Sequence, residues 1–129
     1  MDRWQAQYRF WSQFGIPAYQ ENSVPDKEDI EREHGYPYIT YESAAGGFDE
    51  QISITASIWD RNSSTVNVDR ISDEIEHHIR THGPVKYDRG MYRVYIGDTT
   101  FSQDMDDPDD DLIKRKVLNV MFEFMQIDI

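Results

Sequence analysis

Residues 51–59 read Gln-Ile-Ser-Ile-Thr-Ala-Ser-Ile-Trp, a stretch in which apolar and polar side chains alternate. This alternation predicts a half-buried strand, which we expect to extend from Phe48 to Trp59. After a turn-prone connection at residues 60–64, apolar side chains recur every three to four residues, as in an amphipathic helix. They are Val68, Ile71, Ile75 and Ile79. We therefore expect a helix over residues 64–81, and the rest of the chain should pack against this strand and this helix.

The two faces of the predicted strand differ in an unusual way. The face expected to be buried carries Ile52, Ile54, Ala56 and Ile58, and the other carries Gln51, Ser53, Thr55 and Ser57. A strand with one face in solvent usually places charged residues there, whereas these residues are small and uncharged. We therefore expect the face of Ser53, Thr55 and Ser57 to be covered by another subunit.

Residues 3–14 form a second predicted helix, which ends at Gly15-Ile16-Pro17 because glycine suits a helix end and proline cannot continue one. Trp4, Tyr8 and Trp11 share one face of this helix, and Phe10 and Phe14 widen it. Two interpretations stay open. The aromatic face docks the helix on the domain's own sheet, or it meets a partner protein.

The remaining segments are mostly short. Further strands are predicted at residues 17–24, 36–43, 85–87 and 91–96. Ala44–Gly47 is typical of a hairpin loop, and residues 25–34 of an exposed loop or a frayed helical turn. Leu112–Ile129 fits a strand or a helix, and its valine and phenylalanine content favours a long strand. Ser63 or Ser64 is the expected N-cap of the central helix. This order predicts an α+β single domain, with a mixed or mostly antiparallel sheet and two helices packed against it.

The charge of the chain restricts its function. Its 129 residues carry a formal net charge of −12 and include no cysteine. Disulfide frameworks, cysteine zinc sites and thiol catalysis are therefore excluded, and DNA phosphates would be repelled, so specific nucleic-acid binding is not expected. No segment approaches the roughly 18 apolar residues of a membrane helix.

An acidic cluster surrounds Pro108. It consists of Asp104, Asp106, Asp107, Asp109, Asp110 and Asp111. This density of like charge predicts that residues 97–111 form no regular structure. A calcium loop of the EF-hand type needs a glycine at its sixth position and a glutamate at its twelfth, and neither is present here. The cluster is therefore predicted to be a solvated loop, or a loop that faces a pore or a basic partner.

Candidate catalytic groups are few. His78 and His82 lie four residues apart on the predicted helix, with Glu74 before them, a spacing that can place zinc ligands on one face. The zincin motif needs glutamate directly after the first histidine, whereas Ile79 follows His78, so we interpret both histidines as flanks of the apolar stripe. No nucleophile-elbow or phosphate-loop motif occurs. We therefore expect no enzyme, no cofactor and no metal.

Three segments resemble the tail terminator, or tail-completion, proteins of long-tailed bacteriophages. They are residues 14–25 (Phe-Gly-Ile-Pro-Ala-Tyr-Gln-Glu-Asn-Ser-Val-Pro), 37–42 (Pro-Tyr-Ile-Thr-Tyr-Glu) and 52–64 (Ile-Ser-Ile-Thr-Ala-Ser-Ile-Trp-Asp-Arg-Asn-Ser-Ser). The resemblance spans roughly residues 10–82 and weakens afterwards. It implies an α+β virion structural protein that forms a six-fold ring on the finished tail tube. Such a ring stops tube polymerisation and presents a surface to the head connector.

The resemblance also implies partners. They are further copies of the chain in a hexamer, the major tail tube protein and the head–tail connector protein, with no cofactor and no reaction. The protein would be made in the cytoplasm of the host bacterium and would end at the head-proximal end of the tail. The acidic balance suits a lumen through which DNA slides without adhering. Two alternatives stay open: a neck protein that joins head to tail, and, from another class, an acidic DNA mimic or inhibitor.

Overall fold

The alternating stretch in the middle of the chain forms the central strand of a sheet. The computed structural model describes residues 1–26, 28–30, 35–44 and 50–126. Helix α1 spans Arg3–Ser12 and helix α2 spans Val66–Thr81. In chain order the strands are β1 Ala18–Gln20, β2 Tyr38–Tyr41, β3 Gln51–Arg61, β4 Val85–Tyr87, β5 Gly90–Tyr95, β6 Ser102–Asp106 and β7 Ile113–Gln126. A short 3-10 helix, Glu21–Ser23, follows β1.

The strands of the described residues form one sheet in the order β1-β2-β3-β7-β5-β4. Strand β7 pairs with β3 along one side, and on its other side it pairs with β6 near its start and with β5 near its end. Strands β1 and β2 are parallel, and the other pairs are antiparallel. The protein is therefore an α+β fold with a mixed, mostly antiparallel sheet, as the sequence predicts.

Both helices pack on the same face of the sheet. From the strands, the core takes Ile54, Ala56 and Ile58 of β3 and Leu118, Val120, Phe122 and Phe124 of β7. From α2 it takes Val68, Ile71, Ile75 and Ile79, the four residues of the predicted stripe. The alternation in β7 confirms the strand interpretation of the C-terminal segment, because every second side chain from Leu118 to Phe124 is buried.

Helix α1 buries a different face from the one predicted. Trp4 is 47% exposed and Tyr8 is 52% exposed, although both were expected beside Trp11. The buried residues of the helix are Ala6, Gln7, Phe10 and Trp11. Gln7 explains the rotation, because its side-chain amide donates to the Ala44 carbonyl at 3.0 Å and accepts the Ala44 N–H at 2.6 Å. The helix therefore docks on its own sheet and also presents two aromatic side chains to solvent.

Strand β6 contradicts the prediction that residues 97–111 form no regular structure. In the pairing of β6 with β7, Asp104 lies opposite Lys116 and Asp106 lies opposite Lys114. Opposite charges directly across a strand pair stabilise it, and Lys116 Nζ lies 3.3 Å from Asp104 Oδ1. The lysines of β7 therefore offset the repulsion between the aspartates of β6. The described residues form four strands after α2, whereas the sequence predicts three.

Helix α2 begins later than predicted. Thr65 is its N-cap, so neither Ser63 nor Ser64 holds that position, and the Thr65 side chain does not cap the first turn. The Thr65 hydroxyl donates to Asp69 at 2.8 Å instead. The Ser64 hydroxyl accepts the Val66 N–H at 3.4 Å. The helix ends before Gly83-Pro84 as predicted. The sequence also predicts that Asp88-Arg89-Gly90 joins the strands at 85–87 and 91–96 as a hairpin; the hairpin is present, but Gly90 belongs to β5 and pairs with Tyr87, so only Asp88 and Arg89 connect the strands.

Some predictions fall partly outside the described residues. Of the predicted hairpin loop Ala44–Gly47 only Ala44 is described, and of the charged segment 25–34 residues 27 and 31–34 are not. Within that segment Ile30 is buried, which its charged neighbours do not indicate. Among the residues that the structure describes, no helix is long and apolar enough to cross a membrane.

Candidate functional site

The face of the sheet opposite the helices is called here the open face. The strand registers place on it Tyr38 and Thr40 of β2, Ser53, Thr55, Ser57, Trp59 and Arg61 of β3, Arg93 and Tyr95 of β5, and Arg115, Val117, Asn119, Met121 and Glu123 of β7. Neither α1 nor α2 covers it, because the side chains that contact these helices belong to the other face. Most of these side chains are half-buried by one another.

The few charges on the open face are largely neutralised within the face. Arg93 pairs with Glu123 at 3.0 Å, and Arg61 pairs with Asp110 at 3.1 Å. Glu42, which follows β2, accepts hydrogen bonds from the Thr55 N–H and hydroxyl, both at 2.6 Å. The face is therefore close to neutral in a chain of net charge −12. A nearly neutral face is where two acidic copies can meet with the least repulsion.

A row of aromatic rings ends on an arginine at one side of the open face. The rings of Tyr38 and Trp59 stack with centroids 6.3 Å apart, and the Arg115 guanidinium lies 4.5 Å from the Trp59 ring centre. Trp59 Nε1 donates to Thr40 at 2.9 Å. Burial, and after it the neighbouring Tyr36 and Tyr19 hydroxyls, raise the pKa of Tyr38 to about 12. The row therefore consists of uncharged aromatic rings, and the Arg115 guanidinium is the one cation in it.

The three residues predicted to meet another subunit differ in accessibility. Ser53 is exposed, and Thr55 is half-buried with its hydroxyl bonded to Glu42. Ser57 is only 2% exposed, because Arg115 Nε donates to its hydroxyl at 3.1 Å and covers it. A neighbour on this face would therefore contact Ser53 and Arg115 rather than Ser57. The sequence did not indicate Arg115, because only the register of β3 with β7 places it beside Trp59.

The turn between β6 and β7, residues 107–112, is held by two of its own carboxylates. Asp107 Oδ1 accepts the N–H groups of Asp109 at 2.8 Å and Asp110 at 3.3 Å. Asp110 Oδ1 accepts the N–H of Leu112 at 2.9 Å. Asp109 and Asp111 are exposed. Of the six aspartates in the acidic cluster, two lie in strand β6, two hold the turn and two are exposed at its surface. In that order they are Asp104 and Asp106, Asp107 and Asp110, and Asp109 and Asp111.

A cavity of about 510 Å³ lies beside this turn, and it is continuous with the open face. Its wall is aromatic and aliphatic, from Tyr36, Tyr38, Trp59 and Ile113, together with Val24, Pro25 and Ile30. Carboxylates of Asp107, Asp109 and Asp110 line the other side. Its lining therefore combines an apolar wall with negative charge.

His78 of α2 and His82, which follows the last residue of that helix, serve packing. Their rings stack with centroids 3.8 Å apart, and His78 meets Phe10 edge-on at 5.8 Å and Phe14 at 5.5 Å. Within the described parts of the chain, no group of three or more histidine, cysteine, aspartate or glutamate side chains could hold a metal ion. The pair therefore joins α2 to α1, beside the apolar stripe.

We expect stability to fall as the pH drops through the range of His78. Burial, and after it the nearby His82 and His77, lower the pKa of His78 from its ordinary value of 6.5. The folded state thus favours the neutral ring, so the stabilisation is present above 6.5 and is lost as the pH falls from 6.5 towards the lower folded-state pKa. Urea unfolding between about pH 7.5 and 5 measures this loss.

The matched controls are His78→Gln and His77→Gln. The first should flatten the dependence of the unfolding midpoint on pH, and the second should leave most of it, because His77 is exposed. An unchanged slope in His78→Gln would contradict the assignment to this histidine.

Comparison of the chain with protein-family models, with curated proteins and with solved structures found no match.

Proposed function

We propose that this chain is a virion structural protein that caps the tail tube of a long-tailed phage as a ring. The ring ends polymerisation of the tube and gives the head connector a surface to dock on. The observation that carries this proposal is the open face, a nearly neutral sheet face that neither α1 nor α2 covers, in a chain of net charge −12. Such a face fits repeated contacts between copies better than it fits contact with solvent alone.

The rest of the surface suits this role. The chain carries 25 acidic residues against 13 lysines and arginines, and little of this excess lies on the open face. An acidic lumen lets DNA pass without adhering to the wall. In this proposal the protein is made in the cytoplasm of the host bacterium and ends at the head-proximal end of the tail, as a hexamer.

A DNA mimic is less well supported by the same surface. A mimic needs carboxylates that stay free along an extended surface. Here Asp104 pairs with Lys116 and Asp110 pairs with Arg61, so part of the cluster is neutralised internally. A neck protein that joins head to tail would also use the open face for contacts between copies. Binding to tail tubes or to isolated connectors distinguishes a tail cap from a neck protein.

The expected result is that the purified protein forms rings at one end of tubes built from the major tail protein of the same virion, and that it shortens tubes when present during polymerisation. Electron microscopy measures both. Ser53→Lys, which adds a charge to the open face, should lower the occupancy of tube ends about tenfold, the effect of about 1.4 kcal/mol. Asp73→Asn changes the net charge equally on the exposed side of α2 and should leave occupancy unchanged.

Tubes whose ends stay bare and whose lengths do not change with the wild-type protein would reject the tail cap. If the protein instead binds only isolated connectors, the neck role is supported.

A further inference from the structure

Unpaired charges of opposite sign lie at the two ends of strand β7. At the start of β7, the acidic turn carries the exposed carboxylates of Asp109 and Asp111. At its end, Gln126 pairs with Gly90 of the β4–β5 hairpin, where Lys86 and Arg89 are exposed. Neither cation forms an ion pair within the part of the chain that the structure describes.

The basic end keeps a positive charge although two carboxylates lie in it, Asp2 and Asp88, because both have other partners. Asp2 Oδ1 accepts the Gln5 N–H at 2.8 Å at the start of α1. Asp88, between Lys86 and Arg89, pairs with the amino group of Met1 and donates its backbone N–H to the Met1 carbonyl at 2.8 Å. Trp4 lies beside this hairpin, where it lines a cavity together with Tyr87 and Arg89. The basic end therefore combines two exposed cations with a half-exposed aromatic side chain, a combination common in protein interfaces.

The two ends cannot neutralise each other within one copy. β7 has 14 residues, which at about 3.3 Å per residue separate its ends by roughly 40 Å. Exposed charges are screened beyond about 10 Å at moderate salt. The two groups of charge can therefore meet each other only when they belong to different copies.

The cavity beside the acidic turn has the shape and chemistry for a basic side chain. Its apolar wall at Tyr38 and Trp59 would pack against the methylene stem of a lysine or arginine. The carboxylates of Asp107 and Asp109 would face the charged head. Its volume of about 510 Å³ exceeds what one such side chain needs, so part of the hairpin can enter with it.

We propose that the β4–β5 hairpin of one copy docks on the acidic turn of the next copy, with Arg89 or Lys86 in the cavity between Trp59 and Asp109. The contact continues onto the open face, because Tyr38 and Trp59 belong to both. We place it head to tail, as a heterologous contact between two different surfaces of neighbouring copies. A heterologous contact that closes gives a ring, so this inference rests on the proposed capping function and supplies its subunit interface.

Charge reversal on the full chain tests the contact. Variant A carries Lys86→Glu with Arg89→Glu, and variant B carries Asp109→Lys. All three side chains are exposed, and circular dichroism checks that both variants fold. Sedimentation velocity at low salt over increasing concentration should show association of the wild type that weakens as salt is added. Each variant alone should associate at least about tenfold more weakly, while Asp73→Lys on α2 should behave as the wild type.

An equimolar mixture of A and B should recover association between the two variants, because the unchanged hairpin of B then meets the unchanged acidic turn of A. A wild type that stays monomeric at every concentration, reversal variants that associate as the wild type does, or a mixture that does not recover would overturn the proposal.

Tube binding separates this contact from the proposed function. If variants A and B cap tubes as well as the wild type, this contact is wrong and the capping role stands. If the wild type associates in the expected salt-dependent way but never binds tubes, the contact stands and the capping role fails.

Discussion

Phe122→Ala is expected to lower the free energy of unfolding by about 3–5 kcal/mol, the usual cost of removing a fully buried phenylalanine ring. Phe122 is 0% exposed and sits where three elements meet. Its ring lies 5.8 Å from Phe10 of α1 and 5.8 Å from Tyr92 of β5, and 6.2 Å from Phe124 beside it on β7. Its removal therefore leaves a cavity whose lining comes from separate elements and cannot collapse easily.

Urea unfolding followed by circular dichroism measures this loss. The matched control is Met121→Ala, at the next position of β7 but on the open face, where the side chain is half-buried. The control should cost well under half as much, because less apolar surface is lost and no closed cavity forms. Equal losses for the two variants would contradict the assignment of the core to the helix-bearing face.

Gln7→Met is expected to lower the free energy of unfolding by about 2–5 kcal/mol, even though it exchanges a polar side chain for an apolar one of similar length. Gln7 is 1% exposed, and the two shortest hydrogen bonds of its amide go to the Ala44 backbone, with a longer one of 3.4 Å to the Arg3 carbonyl. Methionine leaves a buried N–H and a buried C=O without partners, and each such group costs about 1–3 kcal/mol.

Gln13→Met is the control for this prediction. Gln13 is exposed, and its amide donates to the Phe10 carbonyl at 2.9 Å near the end of α1, so water can replace the lost bond. The expected change is within about 0.5 kcal/mol, as for most surface substitutions. A Gln7→Met variant as stable as the wild type would show that the amide does not fix the rotation of α1.

The same two residues show why sequence patterns predict one part of this fold better than another. Phe122 belongs to a strict alternation, and burial of alternate side chains is a local property that sequence spacing reports directly. Gln7 is a polar residue on the buried side of α1, and its partner is 37 positions away in the chain. A prediction that places polar residues in solvent therefore puts Gln7 on the exposed side of α1, and it puts Trp4 and Tyr8 on the buried side.

The candidate site depended on long-range pairing in the same way. The aspartates of β6 form a strand only because Lys114 and Lys116 lie opposite them. The uncharged face of β3 was visible in the sequence, but the cover that Arg115 gives Ser57 was not. The registers that create these contacts join strands far apart in the chain, so no local spacing encodes them.

The edge strands of the sheet affect how free subunits behave in solution before they assemble. Among the described strands three lie at an edge: β1 and β4 have three residues each, and β6 has five. Each edge therefore offers only a few backbone groups to a stray strand, which limits edge-to-edge aggregation. We expect a concentrated solution of free subunits to stay clear for days. Association between subunits should depend on side-chain charge, so that added salt reverses it.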